Sequence, residues 1–136
     1  MNSKTTRCGV GLLAADMQVM ATLYRDVLGL ETDWDGGNFA EFYTASGRLA
    51  LFMYDRKMFD EAMKLEFQPP RGINQTFEIG LWLPTFADVD AEYEKLKAKG
   101  VAVPPDGPIT FPFGIRNFYI ADPEGNLLEI GSDTPN

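Results

Sequence analysis

Arg116-Asn117-Phe118-Tyr119-Ile120-Ala121-Asp122-Pro123-Glu124-Gly125-Asn126-Leu127-Leu128-Glu129 reads as a β-hairpin. Its turn is Asp-Pro-Glu-Gly-Asn. Proline presets the first turn position, and Gly125 and Asn126 are residues that tolerate positive φ. β-branched, aromatic and apolar residues flank the turn on both sides. Glu129 then sits between Leu128 and Ile130, a carboxylate inside an apolar strand. Burying such a charge is costly unless it is paired or used, so Glu129 is the first functional candidate.

Outward from this hairpin, the rest of the chain narrows the chemistry. There is no histidine, and Cys8 is the single cysteine. Zinc, nickel and non-haem iron sites rely on imidazole or thiolate, and the commonest general base is also missing. At 136 residues, 45% of them hydrophobic, the chain is long enough for one domain with a proper core. One cysteine excludes an internal disulfide framework. No leader pattern and no apolar run of membrane-span length is visible, so a cytoplasmic protein without membrane association is expected. The net charge of −8, from 20 acidic and 12 basic residues with no basic cluster, disfavours nucleic acid and favours cationic ligands. The same charge also serves plain solubility.

The hairpin closes a pattern that occurs twice. Cys8 to Ala14 reads as a buried strand, with Asp16 as helix N-cap, a helical spacing over Met17 to Leu28, and Gly29 as a C-cap signal. Short strands are expected at Glu31 to Trp34, Phe39 to Thr44 and Arg48 to Met53. An amphipathic helix over Arg56 to Phe67 and the Pro69-Pro70-Arg71-Gly72 run form a connector. Thr76 to Leu83 is the next strand, and a helix opens at Ala87-Asp88-Val89-Asp90 and ends at Gly100. Val101 to Val103 is a short strand, Pro104 to Pro112 a loop, and the hairpin completes the unit. The chain is therefore a single α+β domain over 1–136, with module one near 6–55, a connector over 56–75 and module two near 76–132. Each module is β-α-β-β-β, and the pair forms curved mixed sheets around a cleft.

Three passages resemble one family: Asp16 with Leu23-Tyr24-Arg25-Asp26-Val27-Leu28-Gly29-Leu30, then Asp88-Val89-Asp90-Ala91 through Leu96-Lys97-Ala98-Lys99-Gly100-Val101, and then Phe113-Gly114-Ile115-Arg116 through Asp122-Pro123-Glu124-Gly125-Asn126-Leu127-Leu128-Glu129-Ile130. Together they resemble the vicinal oxygen chelate superfamily, which holds glyoxalase I, extradiol dioxygenases and bleomycin-resistance proteins. The motifs encode caps and turns, so they specify fold more than reaction. The resemblance implies a homodimer, and one metal-ligand position early in each module's first strand and one late in its last. By strand alternation and by aligning the two hairpins at Gly47 and Gly125, those positions are Gly9, Leu51, Glu78 and Glu129.

Two of the four carry no ligating side chain. The expected function is therefore metal-independent binding of a small aromatic or cationic molecule, of the bleomycin-resistance type, with no cofactor. Glu78, Trp82, Glu129, Arg116 and Phe113 are the candidate ligand contacts. Trp82 shares a strand face with Glu78, and an aromatic beside a carboxylate suits a planar cation. The alternative is a lyase, isomerase or dioxygenase-like enzyme using Glu129 or Glu78 as base or as ligand to a divalent cation such as Mg²⁺. Blander readings compete with both. Glu129 pairs with Arg116, Glu78 reaches solvent, Trp82 and the other aromatics are core or dimer contact, and Cys8 is a buried, inert thiol.

Overall fold

In the computed structural model, which describes residues 4–64, 68, 72–74 and 76–136, the chain divides into two compact units, Met1–Gln68 and Pro69–Asn136. Each repeats one plan: a strand, a helix laid over it, and an antiparallel hairpin whose last strand runs parallel to the first.

In the first unit, β1 (Gly11–Ala14) leads to α1 (Met17–Ala21), and β2 (Phe39–Tyr43) and β3 (Leu49–Asp55) form the hairpin. The order is β1-β3-β2, with β1 parallel and β2 antiparallel to β3. Asp16 caps α1 as its side chain accepts from the Val19 amide, which satisfies an otherwise orphan donor. The helical spacing continues, but over Thr22–Val27 the turns widen to π geometry, with the Leu28 amide donating to the Leu23 carbonyl at 2.9 Å. Met17, Met20, Ala21, Leu23 and Tyr24 are buried together with Leu12, Ala14, Ala40, Phe42, Leu51 and Met53, and Tyr24 meets Phe42 at 6.0 Å between ring centroids. α2 (Arg56–Met63) follows β3 directly, capped by Asp55. The helix ends at Met63, where Lys64 turns left-handed at φ +53°, short of the expected Phe67; residues 65–67 and Pro69-Pro70-Arg71 lie outside the described residues.

Several local expectations give way to less regular structure. The strand expected at Glu31 to Trp34 is a single bridge from Glu31 to Tyr43, and that at Val101 to Val103 is a bridge from Ala102 to Ile120. Cys8 and Val10 are exposed rather than packed against the helix. They lie before the strand, which begins only at Gly11.

In the second unit β4 (Ile79–Trp82), β5 (Ile109–Thr110), β6 (Arg116–Ala121) and β7 (Leu127–Ser132) form a sheet of order β4-β7-β6-β5. α3 (Phe86–Ala98) covers one face. It begins a residue earlier than the acidic run suggested, because Thr85 and Asp88 make a reciprocal capping box. Replacing Thr85 by alanine should lower stability by about 1 kcal/mol in urea unfolding, whereas serine, which keeps the hydroxyl, should retain most of it.

Val89, Tyr93 and Leu96 of α3 are buried with Phe118, Ile120, Leu128, Ile130 and Ile79 from the sheet, and Tyr93 meets Phe118 edge-on at 5.2 Å. Phe77, in the expected strand Thr76 to Leu83, is exposed because it precedes β4, which begins at Ile79. The hairpin turn is held by Asp122, whose buried carboxylate accepts from the Glu124 and Asn126 amides and from Asn126 Nδ2, each at 2.9 Å. Gly125 takes φ +82°, and its carbonyl accepts from the Asn74 amide at 2.7 Å.

Candidate functional site

Strand alternation gives the second sheet a second face, turned away from α3. Register places Gly80, Glu129 and Tyr119 abreast in one row and Trp82, Gly131 and Asn117 in the next. Two of these positions are glycines, and that decides the geometry. A methyl group built on Gly80 would lie 3.4 Å from the indole Nε1 of Trp82 and 3.4 Å from Glu129 Oε1, while one on Gly131 would lie 3.4 Å from Trp82 Cζ3. The indole therefore lies down across β4 and β7, its inner face against bare backbone. Trp82 is 54% exposed, so its outer face is open. It lies outside the buried core.

Glu129 lies beside the indole and is only 9% exposed. Asn117 Nδ2 donates to its Oε2 at 2.6 Å, leaving Oε1 above Gly80. Burial raises the carboxyl above the usual glutamate range. The Asn117 hydrogen bond pulls it back, and the neighbouring charge of Glu78 raises it further. Glu78 is exposed just before β4, beside the Tyr119 phenol. Burial, the hydrogen bond to Glu78 and the charges of Glu78 and Glu129 push Tyr119 up to about 12, against a lowering by Asn117. Tyr119 therefore keeps its proton and is a neutral hydrogen-bond donor at any physiological pH.

The structure thus brings Glu78, Trp82 and Glu129 to one face and adds Asn117 and Tyr119. Arg116 is placed elsewhere. It has the strand parity of Phe118, and its guanidinium bonds Asp90 Oδ1 of α3 at 2.8 Å and Thr110 Oγ1 at 2.8 Å. The pairing of Glu129 with Arg116 is replaced by one with Asn117. Phe113 stands at the β5–β6 turn, 73% exposed and stacked on Phe111 at 5.2 Å. Asn117 and Tyr119 were countable from the hairpin: with two-residue alternation about the Asp-Pro-Glu-Gly-Asn turn, they face Gly131 and Glu129.

In the first sheet the corresponding face carries no charge at the equivalent place. Leu51 is fully buried on the helix side. Its neighbour Phe52 pairs with Gly11 as Glu129 pairs with Gly80. The displacement comes from a β-bulge: Phe42 pairs with Leu51 but Tyr43 pairs with Leu49, so Ala50 is an extra residue between turn and sheet. Counting from Gly47 as from Gly125 therefore lands one residue short. The Phe52 ring lies over Gly9 and Gly11, where a methyl group would come within 2.7 Å of it.

The sequence profile of the Glyoxalase/Bleomycin resistance protein/Dioxygenase superfamily matches residues 9–130. The chain belongs to this superfamily. Solved structures agree on the fold. A glyoxalase/bleomycin resistance protein/dioxygenase from Nocardioides superposes with TM-score 0.74 at 24% identity, over 97% of this chain and 85% of that one. A glyoxalase-related enzyme from Fulvimarina pelagi gives 0.73 at 19%, over 94% and 88%. Lactoylglutathione lyase from Agrobacterium tumefaciens gives 0.67 at 24%, over 96% of each. No curated protein matches the chain.

Metal chemistry in the superfamily needs a donor set, and the residues present do not fit one. The first-unit positions offer glycine and phenylalanine. In the second unit Glu129 has one oxygen accepting from Asn117, and Glu78 lies exposed just before β4. Among the described residues no three histidine, cysteine, aspartate or glutamate side chains gather around a common point. A transition metal wants three or four such donors, with nitrogen or sulfur among them.

Proposed function

We propose that this superfamily member binds a small aromatic or cationic molecule without a metal, on the open face of its second sheet. The observation that carries this reading is the Trp82 indole laid across Gly80 and Gly131, its outer face exposed and the Glu129 carboxylate beside it. A planar ring stacks on the indole while a cationic or N–H group meets Glu129 Oε1, with Glu78 and Tyr119 completing a polar edge. Phe113, exposed and stacked on Phe111 at the β5–β6 turn, is not among the groups seen beside the indole, and Arg116 is already committed to Asp90 and Thr110. The homodimer that the superfamily resemblance implies belongs to this proposal too. No helix among the described residues is long and apolar enough to cross a membrane.

The test uses proflavinium, a planar aromatic cation whose fluorescence reports binding. Trp82→Ala should weaken its affinity about tenfold, since stacking on an aromatic contributes on the order of 1–3 kcal/mol, and should leave the melting temperature nearly unchanged. If the variant unfolds, Trp82 is core. If it binds as tightly as the parent, the indole is not the site.

A second reading has its own support. A glutamate raised by burial suits a general base, so a lyase, isomerase or dioxygenase-like activity using Glu129, or Glu78, is the competitor. Metal analysis of the purified protein separates the two readings. Stoichiometric Mn²⁺ or Ni²⁺ that disappears in Glu129→Gln would favour the enzyme.

A further inference from the structure

A cavity lies wholly within the first unit, over β2 and the segment that follows Glu31. It has a volume of about 210 Å³, opens to solvent and is lined by Asp33, Trp34, Asp35, Phe39, Glu41 and Tyr43, with Ala40 between Phe39 and the last two strand positions. Three aromatic rings and three carboxylates line it, and no lysine or arginine is among the lining residues. From this arrangement we infer that the cavity is a site for an organic ammonium group, a positively charged nitrogen carrying small alkyl substituents.

Three features of the walls support that chemistry. The Trp34 indole is fixed from behind, its Nε1 donating to the Gly37 carbonyl at 2.7 Å, so the ring is held without help from a ligand. Phe39, Glu41 and Tyr43 share one face of β2 by alternation, and the Tyr43 hydroxyl donates to Glu41 Oε2 at 3.1 Å. That hydrogen bond, burial and the charges of Glu41 and Asp33 all raise the Tyr43 phenol, so the negative field of both carboxylates reaches the ring.

The same walls disfavour other occupants. A hard metal cation wants roughly six oxygens converging at one point, and the described carboxylates here do not gather in that way. An anion meets three carboxylates. A neutral apolar group leaves those carboxylates with nothing gained for their desolvation. An alkylammonium, by contrast, is attracted by ring faces and carboxylates together and is weakly hydrated enough to leave water. The volume is below the ~300 Å³ at which pockets for whole drug-sized ligands begin, so the cavity takes a head group. The site is independent of the Trp82 face, and neither stands or falls with the other.

The test is a ¹H–¹⁵N NMR titration of the whole protein at constant ionic strength. The chain has two tryptophans, and Trp82→Phe identifies the indole resonance of Trp34. Tetramethylammonium chloride should shift that resonance saturably, and tert-butanol, a neutral group of similar shape, should not. Glu41→Gln keeps an acceptor for Tyr43 but removes the charge, and should weaken binding about fivefold; Trp34→Leu should weaken it about tenfold. Should Trp34→Leu disturb the fold, Glu41→Gln alone decides. An absent or non-saturating shift, an equal response to tert-butanol, or unchanged affinity in Glu41→Gln each overturns the inference.

Discussion

Gly125→Ala is expected to destabilise the protein by about 3 kcal/mol, while the same substitution at Gly47 costs only about 1 kcal/mol. The two glycines hold matching places in the two hairpin turns, and both have φ +82°. The backbone strain imposed on alanine is therefore the same at each. Their surroundings differ. A methyl group on Gly47 would meet nothing within 4 Å, whereas one on Gly125 would collide with the carbonyl oxygen of Gly72. That neighbour is backbone, tied down by the Asn74 amide donating to the Gly125 carbonyl, and cannot swing aside as a side chain would. Urea unfolding of both variants measures the difference. Equal losses would show that conformation alone, and not the docking of residues 72–74, makes glycine necessary in the Asp-Pro-Glu-Gly-Asn turn.

Glu129→Gln is expected to strengthen the fold while it damages the site. Glutamine still accepts from Asn117, so the local hydrogen bond survives. What disappears is a buried negative charge facing Glu78. A carboxyl whose pKa is higher in the folded than in the unfolded state binds its proton more tightly when folded. Its contribution to stability is present at low pH and is lost as pH rises from the ordinary glutamate range through the raised folded value. Burial, with Glu78 adding to it, raises Glu129 in this way. The glutamine variant has no such loss. It should exceed the parent in stability near pH 8, and the gap should close as pH falls through the ordinary glutamate range. Over the same range, affinity for an aromatic cation should fall about tenfold or more, the scale of a lost charge-assisted hydrogen bond. A charge kept at the expense of stability is what a functional residue looks like. A variant that is less stable at pH 8 would instead make Glu129 structural.

Much of the fold was legible because its signals are local. The hairpin turn, the Asp16 cap and the helix face carrying Val89, Tyr93 and Leu96 each depend on residues within a turn or two of one another. Alternation along Glu78 to Trp82 correctly separated the helix side from the open side, and so put Trp82 and Glu129 together. Features that depend on partners distant in sequence were not visible. Nothing in Arg48 to Met53 marks Ala50 as the bulged residue, so Leu51 was assigned the place that Phe52 holds. Arg116 is expected as a ligand contact, or in the blander reading as the partner of Glu129, yet its parity turns it to Asp90 on α3. Trp34, Phe39 and Tyr43 looked like ordinary core aromatics, because the cavity they line forms only once the segment after Glu31 lies beside β2.

The central claim is that Trp82 and Glu129 form a ligand surface that works without a metal. It is tested most directly by titrating proflavinium into EDTA-treated protein and following the Trp82 indole resonance. Saturable binding in the parent, weakened about tenfold or more in Glu129→Gln, is the predicted result. No saturable change, equal affinity in the two proteins, or binding that returns only with added Mn²⁺ or Ni²⁺ would contradict it.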